Sequence, residues 1–496
     1  MKRFAIVITS LITISVDAQN YDLFWAFGDS AGIDFSDTAN PIPITTSSAF
    51  DAENNNSISN SSGQPLLYLG GDSVIGGWNS LLRVFDASGN LMFNGDSLIT
   101  NYNEANGSVI LPSSSDSNEL YIFHLGSNPP SISSNTFFQT KINKTMNGGL
   151  GAVVSKNLII AAADSYSYKL TAVRHANGRD WWLLLHFKNQ NIFEKFLMTP
   201  GGLNGPTFDT TGILFSSLNF FRLGEIAPSP DGTLLALANY NNNIELYSFN
   251  RCTGATALLK NLSSYISPAS QVFPGIAISS NNKFVYCSTG DAFLGSYSQL
   301  FQINILDIDN ISSQLIYTVS DSLSMAQLQM GPDGKIYVGG GVYGPTVQPD
   351  SAHLFLSVIN SPDSAYPACN FQPHSFYLGG HKEYGGLPNM PNYRLGALAG
   401  SPCDTLGLAQ PVVKDQWSVV ISPNPAHEQC TVHLLIPGNP LGVLQMYNIL
   451  GQEVYAAKFR RGEQALSIPL ASIPVGIYLV KVEANGWVKS CKLVKE

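Results

Sequence analysis

The sequence predicts an all-β protein: a β-propeller, with seven blades favoured and six or eight also compatible, followed by a small C-terminal β-sandwich. Three observations support this fold class. Strand-type patterns separated by turn residues run along the chain, without a convincing amphipathic helix. Only 12% of the 496 residues are charged, whereas 44 are glycine, a composition typical of turn-rich β-proteins. A unit of roughly 50 residues also recurs, which is a period found in propeller blades.

The recurring unit is a short apolar strand, a polar turn and a second strand rich in Val, Tyr and Phe. Its clearest copies begin near Ile226, Ile276 and Leu328. Two of them contain Pro-Asp-Gly, in which Pro fixes φ, Asp caps the turn and Gly supplies a positive φ. Weaker copies begin near residues 58, 109 and 170. A seventh blade shared between residues 385–389 and 25–28 would close the ring and remove its free edges.

The N-terminus has the pattern of a secretory signal peptide. Lys2 and Arg3 precede an apolar run that is too short to span a bilayer, and small residues ending at Ala18 form a cleavage site. No later stretch is long and apolar enough to be a transmembrane segment. The predicted parts are the signal peptide 1–18, the propeller 19–403, a linker 404–418 and the C-terminal β-sandwich 419–496.

The last part of the chain combines short motifs in a fixed order. A turn with two prolines comes first, and it cannot lie inside a sheet because proline lacks the N–H donor that a ladder needs. A strand–turn–strand, a strand of alternating pattern and a closing strand follow. The motif residues are Pro423, Asn424, Pro425, Gly451, Gly476, Tyr478, Lys492 and Lys495.

This series resembles the C-terminal sorting domain (type A) of the type IX secretion system. One departure is Asn448, where the family often has Asp. The resemblance implies that the outer-membrane translocon reads residues 419–496. It also implies that a sortase-like protease then removes them, and that the cargo is released or attached to the cell surface. An ordinary β-sandwich that contacts carbohydrate or protein is the alternative interpretation.

The body of the chain resembles propeller-like domains of bacterial cell-surface proteins that carry such sorting domains. The resemblance fixes no activity. The segments that carry it are 25–28, 31–35, 170–182, 250–254 and 386–389.

Charge limits the predicted partners. The chain has 26 basic and 35 acidic residues, and residues 419–496 hold seven basic against five acidic ones, so the acidic excess lies in the cargo. An acidic cargo argues against nucleic acid and anionic membrane surfaces. The predicted partners are the translocon, the protease and an unknown surface glycan or protein. No His, Cys or carboxylate spacing indicates a metal site, and no cofactor is expected.

The six cysteines are widely spaced, and disulfides are expected in an exported chain. We expect Cys430 to pair with Cys491, and Cys369 with Cys403, although fifteen pairings are open. The cysteines are Cys252, Cys287, Cys369, Cys403, Cys430 and Cys491.

An enzyme signal lies at residues 27–32, Phe-Gly-Asp-Ser-Ala-Gly, which fits the opening motif of GDSL-type serine esterases. Ser30 would be the nucleophile, His353 the base and Asp350 the group that orients it. A nucleophile elbow must open a helix, however, and Gly32 with the following turn residues predicts none.

The leading functional hypothesis is therefore a secreted or cell-surface protein whose propeller binds a ligand or assembles with other surface proteins. A secreted GDSL-like esterase using Ser30 is one alternative. A structural component of surface or gliding machinery is the other.

Overall fold

The computed structural model shows an all-β chain, with 57% strand and 3% helix. It divides into two compact units, Met1–Thr405 and Leu406–Glu496. The short 3-10 helices are Asn147–Gly149, Ser263–Tyr265 and Ser351–Leu354. The structure describes residues 20–47, 54–60, 62–71, 81–100, 106–127, 135–163, 166–188, 190–214, 224–239, 243–267, 273–290, 298–319, 324–341, 351–383, 386–404, 418–435, 441–460, 463, 465–484 and 487–496. The predicted signal peptide, nearly all of the predicted linker and Asp350 lie outside these ranges.

The described residues of the first unit form one three-stranded and six four-stranded antiparallel sheets, each with its strands in chain order. Sheet 1 contains β1 (Phe24–Phe27), β2 (Ala31–Asp34) and β3 (Ile42–Thr45); sheet 2 contains β4 (Asn56–Ser59), β5 (Pro65–Gly71), β6 (Leu81–Asp86) and β7 (Leu98–Ile99); sheet 3 contains β8 (Ser108–Pro112), β9 (Glu119–Ser127), β10 (Asn135–Asn143) and β11 (Ala152–Ala163); sheet 4 contains β12 (Tyr166–Arg174), β13 (Trp181–Phe187), β14 (Ile192–Thr199) and β15 (Gly202–Thr210); sheet 5 contains β16 (Ile226–Pro228), β17 (Leu234–Asn239), β18 (Asn243–Phe249) and β19 (Thr256–Asn261); sheet 6 contains β20 (Ile276–Ile278), β21 (Phe284–Thr289), β22 (Gln299–Asn304) and β23 (Ser312–Thr318); sheet 7 contains β24 (Ser324–Met330), β25 (Ile336–Gly341), β26 (Phe355–Ile359) and β27 (Phe371–Tyr377).

These sheets are arranged in a ring. The first strand of each sheet lies beside the first strand of the next one, from β1 through β24. Apolar layers fill the spaces between the sheets. Sheet 7 meets sheet 1 where the ring of Tyr337 packs on Trp25 and Phe35, with centroids 5.4 and 5.5 Å apart. The all-β propeller class is confirmed, while the number of blades stays a prediction.

The six predicted repeats correspond to the first strands of sheets 2 to 7, and their turns have the expected chemistry. In the turn between β16 and β17, the Asp231 carboxylate accepts hydrogen bonds from the Ser229 hydroxyl at 2.6 Å and the Thr233 N–H at 3.0 Å. Gly232 supplies the positive φ, 72°. Asn281 takes the place of Asp in the next sheet and accepts from the Ser279 hydroxyl at 2.8 Å.

The second unit has two sheets around a single hydrophobic core. No helix in the described part of the chain is long and apolar enough to cross a membrane. One sheet contains β28 (Ser418–Ser422), β29 (Gln429–Leu435) and β32 (Ala465–Pro469); the other contains β30 (Gly442–Tyr447), β31 (Glu453–Phe459), β33 (Gly476–Ala484) and β34 (Trp487–Lys495).

Candidate functional site: the sorting motif and the propeller axis

The turn with two prolines is tied to the last strand of the chain. β28 ends at Ser422, and the Asn424 side chain then takes the place of a ladder partner. Its Nδ2 donates to the Lys492 carbonyl at 2.8 Å, and its Oδ1 accepts the Val494 N–H at 2.9 Å. The next backbone group in line, the Ala426 N–H, donates to the Val494 carbonyl at 2.9 Å. The structure therefore brings the first and last motifs of the series together, 70 residues apart in sequence.

The middle motifs form the turn between β30 and β31 and the start of β33. Gly451 has a φ of 77°. The Asn448 Oδ1 accepts the N–H groups of Leu450 and Gln452, both at 3.0 Å. An Asp carboxylate can accept the same two bonds, so Asn at this position keeps the turn that the family's Asp would form. The ring of Tyr478 is buried, and its hydroxyl donates to the Pro474 carbonyl at 2.6 Å.

An apolar surface lies beside these motifs. The side chains of Ile449, Leu450 and Val475 are 83%, 78% and 74% exposed, and those of Ile477 and Leu479 about half exposed. Tyr447 pairs with Leu479, so the turn that follows Tyr447 lies at the start of β33. Lys492 pairs with Leu479 and Lys495 with Gly476 on the other side of β33. We call the five exposed apolar residues the terminal apolar surface. Contiguous apolar side chains on a soluble domain commonly mark an interaction site.

The disulfide predictions require correction. The structure joins Cys252 to Cys403, with Cα atoms 5.5 Å apart, so the predicted pairing of Cys369 with Cys403 is wrong. Cys369 is instead a buried free thiol in the core of the last two sheets. The predicted bond between Cys430 and Cys491 is not formed in the structure either.

The thiols of Cys430 and Cys491 nevertheless belong to the same core region. Burial raises the pKa of both thiols, and the nearby charge of Cys491 adds a smaller increase for Cys430. Both side chains are therefore protonated and unreactive at neutral pH.

Residues 386–404 run through the axis of the propeller, and we call them the axial strap. The prediction that residues 385–389 share a blade with residues 25–28 is wrong for the described part of the segment, because residues 386–389 form no strand and Phe24–Phe27 pairs with Ala31–Asp34. Instead the polar groups of the axial strap bond to the inner strands one by one. The Leu387 N–H donates to Gln327 Oε1 at 2.7 Å, and Asn389 Nδ2 donates to the carbonyls of Ser108 and Leu170, both at 2.8 Å.

Further along the axial strap, the bonds shift to the opposite ends of the inner strands. The Tyr393 hydroxyl donates to the Ile110 carbonyl at 2.6 Å, and Arg174 Nη2 donates to the Tyr393 carbonyl at 3.0 Å. The Leu398 N–H donates to the Ala176 carbonyl at 2.9 Å. The segment then ends at the disulfide of Cys403.

Two of the segments that resemble other propeller-like surface proteins, 170–182 and 250–254, hold the end of the axial strap. The Trp182 indole N–H donates to the Arg251 carbonyl at 2.9 Å, and a His175 ring nitrogen lies 3.0 Å from the Cys252 carbonyl oxygen. The Arg251 guanidinium bonds the carbonyls of Arg174 and Gly396. These segments therefore position the disulfide, a role that the sequence alone did not indicate.

The axial strap leaves a cavity of about 50 Å³ beside it. Glu225 lines the cavity and is buried. Its Oε2 accepts the N–H groups of Ile276 at 2.8 Å and Leu328 at 3.2 Å, and burial raises the pKa of Glu225 to about 8. The other lining residues are Ile226, Ala227, Pro228, Pro230, Ala277, Ile278, Leu328, Gln329, Met330, Asn389 and Met390.

The helix that a nucleophile elbow requires does not follow Ser30. Ser30 lies in the tight turn between β1 and β2, with a φ of 59°, and a strand follows it where a nucleophile elbow requires a helix. Its Oγ is 3.5 Å from a carboxylate oxygen of Asp29. His353 is buried, and Asp350 lies outside the described residues. Within the described ranges, no three His, Cys, Asp or Glu side chains are grouped so that they could hold a metal ion.

Comparison with known proteins identifies the terminal unit. Residues 420–496 match the family model of the secretion system C-terminal sorting domain, which confirms the resemblance. None of the curated proteins compared matches the chain.

Chains similar to this one are found among solved structures. A putative 6-phosphogluconolactonase from Bacteroides uniformis is 12% identical, with a TM-score of 0.42 over 68% of this chain and 92% of that one. A functionally unknown protein from Desulfotomaculum acetoxidans is 13% identical, with a TM-score of 0.39 over 73% and 98%. A β-propeller domain from Myceliophteria thermophila is 8% identical, with a TM-score of 0.36 over 65% and 94%. Scores this low carry no argument about activity, and the propeller assignment rests on the sheets themselves.

Proposed function

We propose that this protein is cargo of the type IX secretion system: a sorting domain delivers it to the cell surface or the medium, where the propeller acts as a binding module. The observation that carries the proposal is the sorting domain at residues 420–496. The domain is also a separate compact unit with its own core, which suits a sorting domain that is cleaved from its cargo.

The terminal apolar surface is the part of the sorting domain that we expect the translocon to contact. Its five apolar side chains adjoin the turn at Gly451 and the start of β33, and the backbone of Lys492 and Lys495 borders them. Apolar side chains with cationic neighbours suit recognition by a protein groove with an acidic rim. The Asn424 bonds would hold β34 in the position that presents the two lysines.

A binding role for the propeller draws support from its outer surface. The axis is filled by the axial strap, so a ligand would have to contact loops or outer strands. Strand β11 exposes Val154, Leu158 and Ile159, which are 43%, 53% and 50% exposed, and the neighbouring Phe93 is 65% exposed. The Phe93 carbonyl accepts the Val153 N–H at 3.0 Å, which places Phe93 beside the start of β11. An aliphatic surface of this kind favours a protein partner over a glycan.

Export is tested by removing residues 419–496 and following the cargo by cell fractionation and surface proteolysis. We expect the truncated protein to accumulate in the periplasm and to lose essentially all of its surface signal. A reporter that carries residues 1–18 at its N-terminus and residues 404–496 at its C-terminus is the control and should reach the surface. Normal surface display of the truncated cargo would refute the proposal.

For the binding role, a Leu158→Asp, Ile159→Asp double variant should be exported normally but bind intact cells more weakly.

A further inference from the structure

The disulfide stands at the C-terminal end of the axial strap. Cys403 is the second-last described residue before the segment that leads to the sorting domain. Its partner Cys252 lies between β18 and β19, in a turn that the buried Arg251 fixes to the backbone of Arg174. The sequence separation of 151 residues means that the bond joins the last segment of the unit to the middle of its ring.

The direction of load on the axial strap follows from this placement. Any pull on the chain beyond residue 404 is directed along the strap toward its exit from the axis. Residues 396–400, next to that exit, are exposed, and the Leu398 N–H bond to Ala176 is a single backbone bond. Bonds loaded one after another from an exposed end break at lower force than bonds loaded together. The disulfide instead passes the load directly to the turn at Cys252.

We propose that the Cys252–Cys403 disulfide is a mechanical clamp that keeps the axial strap threaded when the chain is pulled from its C-terminal side. The inference rests on the proposed function, in which the sorting domain is drawn by the translocon or the processed end is attached to the surface.

The test is force spectroscopy on the mature full chain, held at residue 20 and at residue 496. In the oxidised protein, residues between Cys252 and Cys403 cannot extend, and the strap stays in the axis until the whole unit unfolds. After reduction, the strap should be withdrawn first, in a separate low-force step of at most about 65 Å, since residues 386–403 extend to roughly 3.3–3.6 Å each. Unfolding of the first unit should then release the rest of the loop between Cys252 and Cys403, which stays closed in the oxidised protein.

Two further samples separate the effect of losing the disulfide from that of a folding defect. Wild-type protein reduced with dithiothreitol after folding avoids any folding defect of a Cys252→Ser variant, and both should show the early step. Cys491→Ser, a partly buried free cysteine in the other unit, is the matched control and should behave like oxidised wild type. If reduced wild type unfolds at the oxidised force without an early step, the clamp is refuted. Because this measurement does not involve export, its outcome is independent of the periplasmic retention test.

Discussion

In the propeller unit the C-terminal segment runs through the interior, whereas in the terminal unit it forms an edge strand at the surface. The axial strap passes among the inner strands, with Asn389 and Tyr393 buried. Strand β34 pairs with β33 along one side, and Asn424, which is exposed, holds its other side. Both segments are secured by an asparagine that makes two side-chain hydrogen bonds, but in different surroundings.

This difference in surroundings sets how much each asparagine matters. A polar group in the interior has no water to replace a lost partner, so each missing bond leaves its desolvation penalty unrelieved. A polar group at the surface exchanges a protein partner for water, and only the modest net value of the bond is lost. The two asparagines therefore form a matched pair for measuring the effect of burial within one chain.

Of the two asparagines, Asn389 is expected to give the larger loss of stability when it is changed to alanine. The change removes the Nδ2 donor that satisfies the carbonyls of Ser108 and Leu170, both 2.8 Å away and buried. The Leu170 carbonyl then loses its side-chain donor, whereas the Ser108 carbonyl keeps the bond from Asn56 Nδ2 at 3.1 Å. Loss of the two Asn389 bonds in the interior should destabilise the propeller unit by about 2–3 kcal/mol. Hydrogen–deuterium exchange resolved by peptide would report the loss in β8 and β12 but not in the terminal unit. An unchanged exchange rate in those strands would show that water or a shift of the strap replaces the amide.

A second expected effect depends on pH and concerns Glu225. Burial raises its pKa from 4.5 to about 8. Between these pH values the native state keeps a proton that the unfolded chain has lost. The resulting stability is therefore fully present below pH 4.5 and is lost as the pH rises through 8. The difference amounts to on the order of 5 kcal/mol.

Replacing Glu225 with Gln should remove this contribution, because the amide does not titrate. We expect the free energy of unfolding of the variant, measured with urea, to increase relative to that of wild type between pH 5 and pH 8. Buried Lys169, whose pKa burial lowers to about 7, has the opposite effect above pH 7 but is common to both proteins. Asp37→Asn, at an exposed carboxylate of the same unit, is the control and should leave the pH profile unchanged. Parallel profiles for wild type and Glu225→Gln would contradict the prediction.

The same contrast explains what the sequence could and could not predict. The starts of sheets 2 to 7 and the turn at Asp231 are local patterns within a dozen residues, and they were predicted. The sorting motif was recognisable because Pro423, Asn424 and Pro425 are adjacent and the closing strand ends the chain. The path of residues 386–404 was not predicted, because Asn389 meets partners 281 and 219 residues away.

The disulfide pairing and the buried carboxylate of Glu225 were not predicted correctly from the sequence, for the same reason. Nothing near Cys403 in sequence indicates Cys252, and the nearer Cys369 was a misleading partner because its side chain lies in a core. Glu225 precedes a predicted strand like any surface residue, and only the ring of sheets encloses it. Asn56, which begins β4, and Asn106, which lies two residues before β8, are both buried and are a sequence signal that could have indicated a polar axis.

The smallest effect is expected from Asn424→Ala, which tests the exposed member of the pair. Loss of its bonds to Lys492 and Val494 should lower the stability of the terminal unit by about 1–2 kcal/mol, since water can solvate the freed groups. Asn424→Asp keeps an acceptor for the Val494 N–H but loses the donor to Lys492, so it should lie between wild type and Asn424→Ala. Peptide-resolved exchange in β34 measures both variants on the scale used for Asn389→Ala. If Asn424→Ala destabilised its unit as much as Asn389→Ala does, burial would not be what separates the two asparagines. The role of Asn424 in holding the sorting motif would then exceed that of its two hydrogen bonds.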